Sequence, residues 1–439
     1  SSVLQDSPTD PWPAPLAAGP VNAEVVVPGS KSIANRALIL AALSSGTSRV
    51  GNLPDGSRDL SLMAGALRAL GSTIDQDGPD ATVTSGTSAT ATDVDCGLAG
   101  TVMRFVPPVA GLGSAPATFD GDERARARPM GPTIMALRQL GITIDDHGLG
   151  RLPFTVVGTG HAIGGSVTVD ASSSSQFITA LLLAGARFDT GIDIRHSGAP
   201  IPSLPHIDMT VRMLQQHGVT PLVDITDRTQ ARWTIPPTPI HARDRTVEPD
   251  LSNAAPFLAL ATVTGGTVVI RDWPADSLQP VGPLIEVFEA LGARFTSGPA
   301  GMTVTGSGRV RGLNADLRDL GELVPTIAAV AAVADSPSHL SGIGHISGHE
   351  TDRIKALVTE INALGGSATA ESDGLRIDPR ALRGGTWHTY ADHRMATCGA
   401  IIGAVTPGVG IQDVGTTAKT FPRFPQAWTA AVATGATVR

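Results

Sequence analysis

Cysteine is nearly absent from this chain of 439 residues, which contains only Cys96 and Cys398. Two cysteines cannot build a disulfide framework, and their separation does not match the spacing of metal ligands. This usage is typical of proteins in a reducing compartment, so we expect a cytoplasmic location. The first 15 residues have neither a basic region nor an apolar run. We therefore expect them to form a loose leader and not a signal peptide.

Positive charge and long apolar runs are also scarce. Lys and Arg number 32 against 40 Asp and Glu, which gives a formal net charge of -8. This balance argues against a broad surface for nucleic acid or anionic membranes. No apolar run approaches the roughly 18 residues of a membrane span. A hydrophobic content of 41% and a charged content of 16% instead indicate a soluble globular protein of two or three domains.

A polar turn that opens an almost entirely apolar helix occurs six times along the chain. The helix starts fall 70 to 76 residues apart, at Ser30, Gly100, Ser174, Asp250, Glu322 and Asp392. A helix that is apolar all round is buried. Because Asp and Thr are ordinary N-caps, we expect Asp250 and Thr101 to cap their helices.

A second marker has the same period. After each buried helix, a short β-rich run leads to an amphipathic helix that ends in glycine, at Gly71, Gly141, Gly218, Gly292, Gly365 and Gly435. Short strands follow these glycines. The chain thus indicates six copies of a strand-helix-strand-helix-strand unit, three in each of two domains.

The expected crossovers between the domains are the Pro-rich segment 233–250 and a point near Pro28. One domain then comprises residues 1–28 and 249–439, with the leader associated, and the other comprises residues 29–248.

Cations stand near the starts of several helices, although a helix N-terminus is itself partially positive. The cations near buried helix starts are Lys31, Arg36, Arg104 and Arg394. Others open an amphipathic helix or fill turns: Arg353, Lys419, and Arg124, Arg126 and Arg128 in the loop GDERARARP. Capping cannot explain them, whereas a bound anion would, because unit charges 4 Å apart attract by about 4 kcal/mol at an effective dielectric of 20. We expect a small ligand that carries several phosphate or carboxylate charges.

Acidic and polar residues stand among these cations. Glu322 is expected to open the fifth buried helix, and Glu350 precedes the turn that contains Arg353. Each carboxylate could cap a helix, pair with a cation or transfer protons at a ligand. Ser174 and Ser175 offer hydroxyl groups, but neither serine has a His or Lys partner at the spacing of an activated nucleophile.

Seven ordered motifs resemble the 5-enolpyruvylshikimate-3-phosphate synthase family over nearly the whole chain. They are PGSKSIANR (28–36), AGTVMR (99–104), ARPM (127–130), SSQF (174–177), HETDR (349–353), DHRM (392–395) and KTFP (419–422). The resemblance implies an α/β fold of two similar domains that close on ligands. Each domain has three βαβαββ units in an inverted, barrel-like arrangement, and two crossovers join the domains.

The resemblance also implies a reaction. The enolpyruvyl group of phosphoenolpyruvate would pass to the 5-hydroxyl of shikimate 3-phosphate by addition and elimination, with release of phosphate. No metal or organic cofactor would be required. We expect small anionic substrates as partners, neither nucleic acid nor membrane, and a monomer.

Individual roles follow from the same resemblance. Shikimate 3-phosphate would contact Lys31, Ser32, Arg36, Ser174, Ser175, Gln176, Ser203, Glu322 and His349. Phosphoenolpyruvate would contact Lys31, Gly100, Arg128, Gln176, Arg353, Arg394 and Lys419. Glu322 would accept a proton and Glu350 would protonate the methylene carbon, with Lys31 a further acid-base candidate. The motifs do not decide which of these three groups moves which proton.

The chain departs from the family pattern at several positions: Leu98, His206, Glu322, His345 and His349 stand where Asn, Tyr, Asp, Asn and Lys are common. His349 replaces a fixed charge with a group whose reference pKa is about 6.5. We therefore predict that shikimate 3-phosphate binding weakens as pH rises through the titration of His349, and that His349→Lys removes this dependence. Gly100 and Thr101 resemble the residues of family members that glyphosate inhibits. We therefore expect glyphosate to inhibit this chain by competing with phosphoenolpyruvate.

Three alternatives remain at this stage. The related transferase acting on UDP-N-acetylglucosamine has Lys-Asn in place of Lys31-Ser32, and typically a cysteine in the loop that corresponds to GDERARARP. A nucleic-acid-end enzyme built on similar repeats is disfavoured by the acidic net charge and by the aromatic content of 4%. A non-catalytic anion-binding protein would bind both ligands and release no phosphate.

Overall fold

The computed structural model describes residues 9–348 and 351–435. The chain divides into two compact units. The continuous unit runs from Gly29 to Val247. The discontinuous unit joins the segment that ends at Pro28 to the segment that begins at Glu248.

Strands and helices alternate along the described residues. In chain order the strands are β1 (Trp12–Pro13), β2 (Asn22–Val25), β3 (Thr47–Gly51), β4 (Thr73–Asp77), β5 (Asp80–Thr84), β6 (Thr92–Asp95), β7 (Pro116–Asp120), β8 (Thr143–Asp145), β9 (Phe154–Val157), β10 (Gly165–Val169), β11 (Ile192–His196), β12 (Leu222–Asp224), β13 (Arg232–Ile235), β14 (Arg245–Thr246), β15 (Thr267–Arg271), β16 (Ala293–Gly298), β17 (Gly301–Gly306), β18 (Asn314–Asp316), β19 (Ser338–Ser341), β20 (Ser367–Glu371), β21 (Gly374–Asp378), β22 (Gly385–Trp387) and β23 (Val409–Ile411). The α-helices are α1 (Lys31–Leu43), α2 (Arg58–Ala69), α3 (Gly100–Ala110), α4 (Glu123–Arg126), α5 (Gly131–Gln139), α6 (Gln176–Gly185), α7 (Leu204–Gln216), α8 (Leu251–Thr264), α9 (Val281–Leu291), α10 (Val324–Ala332), α11 (Arg353–Ala363), α12 (His393–Gly403) and α13 (Phe424–Ala433). Short 3-10 helices span Arg318–Leu323, Gly344–Gly348 and Val414–Lys419.

The continuous unit contains three four-stranded sheets, ordered β14-β3-β5-β4, β6-β7-β9-β8 and β10-β11-β13-β12. In each sheet a parallel pair comes first, as in β6 with β7, and an antiparallel hairpin completes the sheet, as in β8 with β9. The second and third repeats therefore have the order βαβαββ. The first repeat obtains its parallel strand from β14, at the end of the unit.

The discontinuous unit has sheets ordered β16-β17-β15-β2, β18-β19-β21-β20 and β1-β23-β22. Strand β2 pairs in parallel with β15, although the two are far apart in sequence. The predicted α/β fold of βαβαββ repeats is confirmed.

The expected loose leader is wrong for its described end. Trp12 and Pro13 pair with Ile411 and Gly410, and the amide of Ala14 donates to the Val409 carbonyl at 2.9 Å. Proline tolerates this position because β1 pairs with β23 alone and forms the edge of its sheet.

Three buried helices form the core of each unit. Helices α1, α3 and α6 pack on one another in the continuous unit, and α8, α10 and α12 do so in the discontinuous unit. In α6 every residue from Phe177 to Gly185 is buried. Each large aliphatic side chain so buried stabilises the fold by about 1.5–3 kcal/mol, which explains helices that are apolar all round.

Five of the six glycines predicted to close the amphipathic helices do so in left-handed backbone, whereas Gly435 does not have a positive φ. Gly71 after α2 has φ of 108° and Gly292 after α9 has φ of 121°. A Cβ atom is disfavoured in this region, so a change to any other residue at these helix ends is strained.

One predicted helix start and one predicted helix cap need correction. The buried helix α10 begins at Val324, and Glu322 lies in the preceding 3-10 helix. Pro325 in its first turn suits this later start because proline is tolerated there. Asp250 caps α8 as predicted, by accepting from the Asn253 amide at 2.8 Å. Thr101 is no cap, because the N-cap position of α3 is Ala99 and Thr101 lies inside the helix.

The crossover predicted at 233–250 is shorter than expected. Residues Arg232–Ile235 form β13, and Arg245–Thr246 form β14. Trp233 and Ile235 are buried on one face of β13, an alternation that the neighbouring prolines obscured in the sequence.

Candidate active site

In the continuous unit the starts of α3 and α6 lie together. The Nη1 of Arg104 donates to Ser174 Oγ at 3.1 Å and to Gln176 Oε1 at 2.9 Å. The guanidinium also lies over the Phe177 ring, 4.7 Å from its centroid. Ser175 is buried beside them at the start of α6. The structure thus brings Ser174 and Gln176 together and links them to a cation, a link that the sequence did not reveal.

Arg36 joins α1 to α7. Its Nε donates to Thr210 Oγ1 at 2.8 Å, its Nη1 donates to the Ser32 carbonyl at 2.8 Å, and its Nη2 reaches the His206 carbonyl at 3.4 Å. Ser203, just before α7, has a φ of 56°, which is left-handed and unfavourable for a residue other than glycine. Strain of this kind clusters at functional sites. Through its hydrogen bonds to Thr210 and His206, Arg36 holds α7, the helix that Ser203 precedes, against α1.

Two arginines of this unit carry charge in a partly dry environment. Burial lowers the pKa of Arg36 to about 10. Burial, and then the charge of Arg128, lower the pKa of Arg104 to about 10. Both guanidinium groups stay protonated at neutral pH. The Nε of Arg104 is buried, and within the described residues it has no hydrogen-bond partner.

Lys31 pairs with a carboxylate that sequence reasoning missed. Its Nζ lies 3.2 Å from Asp59 Oδ2, and the two side chains are 30% and 36% exposed. A partly exposed pair contributes only about 0–1 kcal/mol, so Asp59 orients Lys31 without neutralising a buried charge. In the sequence Asp59 looked like an ordinary acidic residue in the first turn of α2.

Arg128 lies against the start of α3. Its Nη1 donates to the Leu98 carbonyl at 3.2 Å, and a Cβ added to Gly100 would lie 2.9 Å from its Nη2. The guanidinium can approach this closely because glycine has no Cβ atom. The placement puts the guanidinium beside the first amides of α3, where an anion would be favoured.

The loop that carries Arg128 is held by ion pairs of its other residues. Arg126 pairs with Asp120 at 2.7 Å, and Arg58 of α2 pairs with Asp122 at 2.8 Å. Arg124 is exposed on the short helix α4. The three loop arginines therefore differ in their surroundings. Arg126 forms an ion pair with Asp120 that holds the loop, whereas Arg124 is exposed.

In the discontinuous unit two buried arginines flank one carboxylate. The Nη1 of Arg353 lies 3.3 Å from Glu322 Oε1, and the Nε of Arg394 lies 3.6 Å from Glu322 Oε2. The Glu322 side chain is 48% exposed, whereas those of Arg353 and Arg394 are 1% and 7% exposed. The accessible carboxylate of Glu322 thus lies between two buried cations.

Asp392 organises this arginine pair. Its carboxylate accepts from Arg353 Nε at 2.8 Å and from Arg353 Nη2 at 3.2 Å, and it caps α12 through the Arg394 amide at 2.9 Å. The sequence showed Asp392 only as a helix start. Its partner Arg353 lies on another helix, so spacing alone could not reveal the pair.

Asn253 connects the arginine pair to the segment of Lys419. Its Oδ1 accepts from Arg394 Nη1 at 3.3 Å, and its Nδ2 donates to the Thr420 carbonyl at 3.0 Å. Lys419 itself is exposed at the end of its 3-10 helix. The predicted site residues Arg353 and Arg394 thus both contact Glu322. Asn253 links Arg394 to Thr420, the residue next to Lys419.

Two predicted site residues, His349 and Glu350, lie outside the described residues. Within the described ranges no group of three His, Cys, Asp or Glu side chains is placed to hold a metal ion. The described helices include none with the length and apolar character needed to cross a bilayer.

Comparison with known proteins gives a consistent result. The family model of EPSP synthase (3-phosphoshikimate 1-carboxyvinyltransferase) matches residues 16–428. A 3-phosphoshikimate 1-carboxyvinyltransferase of Mycobacterium ulcerans is 51% identical over 96% of this chain and 97% of the relative. One from Kocuria rhizophila is 50% identical over 97% of each. An EPSP synthase structure from Acinetobacter baumannii, 24% identical, matches the fold with a TM-score of 0.82 over 95% of this chain and 97% of that one.

Proposed function

Since the chain belongs to the EPSP synthase family, we propose that it transfers the enolpyruvyl group of phosphoenolpyruvate to the 5-hydroxyl of shikimate 3-phosphate. The products are 5-enolpyruvylshikimate 3-phosphate and phosphate, and the step belongs to aromatic amino-acid biosynthesis. The observation that carries the assignment of residues is the placing of buried or partly buried cations at helix starts, as with Arg104 beside Ser174 and Arg394 beside Glu322.

Residues of the continuous unit bind shikimate 3-phosphate in this proposal. Its phosphate contacts the hydroxyl and amide groups at the start of α6, namely Ser174, Ser175 and Gln176, because helix starts favour anions. The other contacts are Lys31, Ser32, Arg36 and Ser203 of this unit, together with Glu322 and His349. Arg36 acts mainly by holding α1 against α7, since its donors already face Ser32, His206 and Thr210.

Phosphoenolpyruvate requires cations because it carries a carboxylate and a phosphate. We assign it Lys31, Gly100, Arg128 and Gln176 of the continuous unit, and Arg353, Arg394 and Lys419 of the discontinuous unit. Guanidinium groups suit both anions because they bind them through two parallel hydrogen bonds.

The reaction needs two proton transfers in each half. In the addition, the 5-hydroxyl oxygen bonds to C2 of phosphoenolpyruvate and loses its proton while the methylene carbon gains one. In the elimination, the bond from C2 to the phosphate oxygen breaks, the methyl group loses a proton as the carbon-carbon double bond re-forms, and the leaving phosphate takes up a proton. Glu322 accepts the hydroxyl proton, because its exposed carboxylate lies next to cations that would also stabilise the substrate. Glu350 is proposed to protonate the methylene carbon, and Lys31 is a further acid-base candidate.

Phosphate release tests the function directly. With both substrates present, the chain is expected to release phosphate continuously, and omission of either substrate is expected to abolish the signal. Replacement of shikimate 3-phosphate by UDP-N-acetylglucosamine is expected to give none. Binding of both ligands without phosphate release would instead identify a non-catalytic anion-binding protein.

We further propose that the enzyme acts as a monomer in the cytoplasm, on small anionic substrates. The free thiols of Cys96 and Cys398 are buried, which suits a reducing compartment. Light scattering of the purified chain is expected to give the mass of one chain, and a dimer mass would contradict this assignment.

A further inference from the structure

The buried carboxylate of Glu360 holds a turn next to the arginine pair. Glu360 is 2% exposed. Its Oε1 accepts from both the amide and the Nδ1 of His388 at 2.8 Å, and its Oε2 accepts from the Tyr390 hydroxyl at 2.6 Å. Burial and this hydrogen bond raise the pKa of Tyr390 to about 12, so the hydroxyl remains a donor at neutral pH. We call these three residues the Glu360 clamp.

The clamp and the site share the helix α11. Glu360 follows Arg353 by seven residues, which places both on one face of the helix. Asp392, two residues after Tyr390, binds the Arg353 guanidinium through both oxygens. Helix α11 and the segment 388–392 are therefore joined at two points, one at Glu360 and one at Arg353.

The turn between these two points is strained. Tyr390 and Ala391 have φ values of 56° and 55°, in the left-handed region that residues other than glycine avoid. Consecutive strained residues persist only where surrounding contacts impose them. The clamp lies on one side of the turn and Asp392 on the other, so the clamp opposes the tendency of the turn to relax and move Asp392.

We propose that Glu360 is a positioning residue for phosphoenolpyruvate binding: it fixes the turn 390–391, and thereby Asp392, Arg353 and Arg394. This inference rests on the proposed function, which assigns both arginines to phosphoenolpyruvate. Glu360 itself does not touch the reacting atoms in this account.

The test compares variants by steady-state phosphate release and by amide hydrogen exchange. Tyr390→Phe removes one hydrogen bond, and Glu360→Gln removes the charge at nearly constant volume. Ala391→Gly in the Glu360→Gln background is the rescue, because glycine adopts positive φ without strain. Glu371→Gln is the matched control, since Glu371 also accepts from a histidine, His339, in the same unit.

We expect Glu360→Gln to raise the KM for phosphoenolpyruvate roughly tenfold, the size expected for one lost hydrogen bond to a charged acceptor. Tyr390→Phe should raise it less. The KM for shikimate 3-phosphate should stay within about twofold, the control should match the wild type, and Ala391→Gly should restore most of the loss. Amides of residues 390–395 should exchange faster in Glu360→Gln.

Unchanged KM for phosphoenolpyruvate in both clamp variants would overturn the inference. Equal rises in both KM values without rescue by Ala391→Gly would overturn it too, because they indicate a general loss of structure. If Glu360→Gln does not fold, the KM for phosphoenolpyruvate in Tyr390→Phe tests the inference instead. Wild-type turnover tests the proposed function separately, and the exchange measurement tests the clamp even where turnover is absent.

Discussion

Buried arginines in the two units are stabilised in different ways. Within the described residues, the hydrogen bonds of Arg36 go to neutral oxygens, whereas Arg353 binds the carboxylates of Asp392 and Glu322. An arginine bound only to neutral oxygens keeps its charge for a ligand. An arginine bound to carboxylates is fixed in place, and its remaining donors have a defined direction.

At the scale of one residue, Gly100 is expected to be essential for the position of Arg128. In Gly100→Ala the new Cβ lies 2.9 Å from Arg128 Nη2, so the guanidinium must move. The clash falls on the far end of a flexible side chain, so the guanidinium can move at little cost to the fold, and loss of its charged contact predicts a rise of roughly tenfold in the KM for phosphoenolpyruvate. Gly131→Ala is the control, because a Cβ there has no atom within 4 Å. Equal KM values in the two variants would contradict the prediction.

His217 predicts a pH dependence of stability. It is buried, its Nδ1 bonds the His241 carbonyl at 2.7 Å, and burial lowers its pKa to about 4. A depressed histidine pKa means that the unfolded chain binds the proton first. Its contribution to stability is therefore complete above about pH 6.5 and is lost as pH falls towards 4.

The measurement is the free energy of unfolding from urea titrations between pH 7 and pH 4. We expect it to fall by about 3 kcal/mol more in the wild type than in His217→Asn, which keeps an amide donor near the Nδ1 position. The same pH slope in both proteins would show that His217 does not titrate as described.

At the scale of elements, helix starts differ in how they hold the site. The start of α12 is anchored by Asp392, which is fully buried with Arg353, whereas the loop before α5 is anchored by the exposed pair of Arg58 and Asp122. Burial decides the energetics, because a buried charge cannot turn to water when its partner is lost.

This contrast gives a paired prediction. Asp392→Asn can still cap α12 but leaves Arg353 without a full counter-charge, and should destabilise the discontinuous unit by about 3–5 kcal/mol. Asp122→Asn should cost about 0–1 kcal/mol. Urea unfolding of the two variants checks the difference. Similar losses in both would show that burial of the Arg353 pair has been misjudged.

The sequence predicts elements where the information is local. The six buried helices, and most of the glycines that end the amphipathic helices, can be predicted from the composition and the repeat period of short stretches of sequence. Strand β1 could not be predicted, because its partner β23 lies at the other end of the chain. Thr101 was misassigned because a cap depends on where the helix begins, and Gly100 already lies inside α3.

The candidate site was likewise predictable only where its residues stand out within a short stretch of sequence. Cations at helix starts stand out as exceptions to a local rule, so Lys31, Arg104 and Arg394 could be found in the sequence. Their partners could not, because Asp59 and Asn253 are brought to them only by the fold. The ligand assignments came from family motifs, which supply what local physics does not.

At the scale of the whole molecule, each unit completes its sheets with strands from elsewhere in the chain. The strand β14, near the end of the continuous unit, supplies the parallel strand for its first repeat, and β2 plays the same part for β15 in the discontinuous unit. These strands lie next to the points where the chain passes from one unit to the other, at Pro28 and Glu248. The ends of each unit are thereby fixed in its sheets.

The central claim is that selected cations at helix starts hold the substrate anions, and kcat/KM for phosphoenolpyruvate in Arg128→Gln tests it most directly. Arg124→Gln is the matched control, since Arg124 is an exposed arginine of the same loop. The loss of two charge-assisted hydrogen bonds predicts a decrease of about a hundredfold or more for Arg128→Gln, with Arg124→Gln within about twofold of the wild type. Wild-type values in both variants, with folded protein confirmed by circular dichroism, would contradict the account.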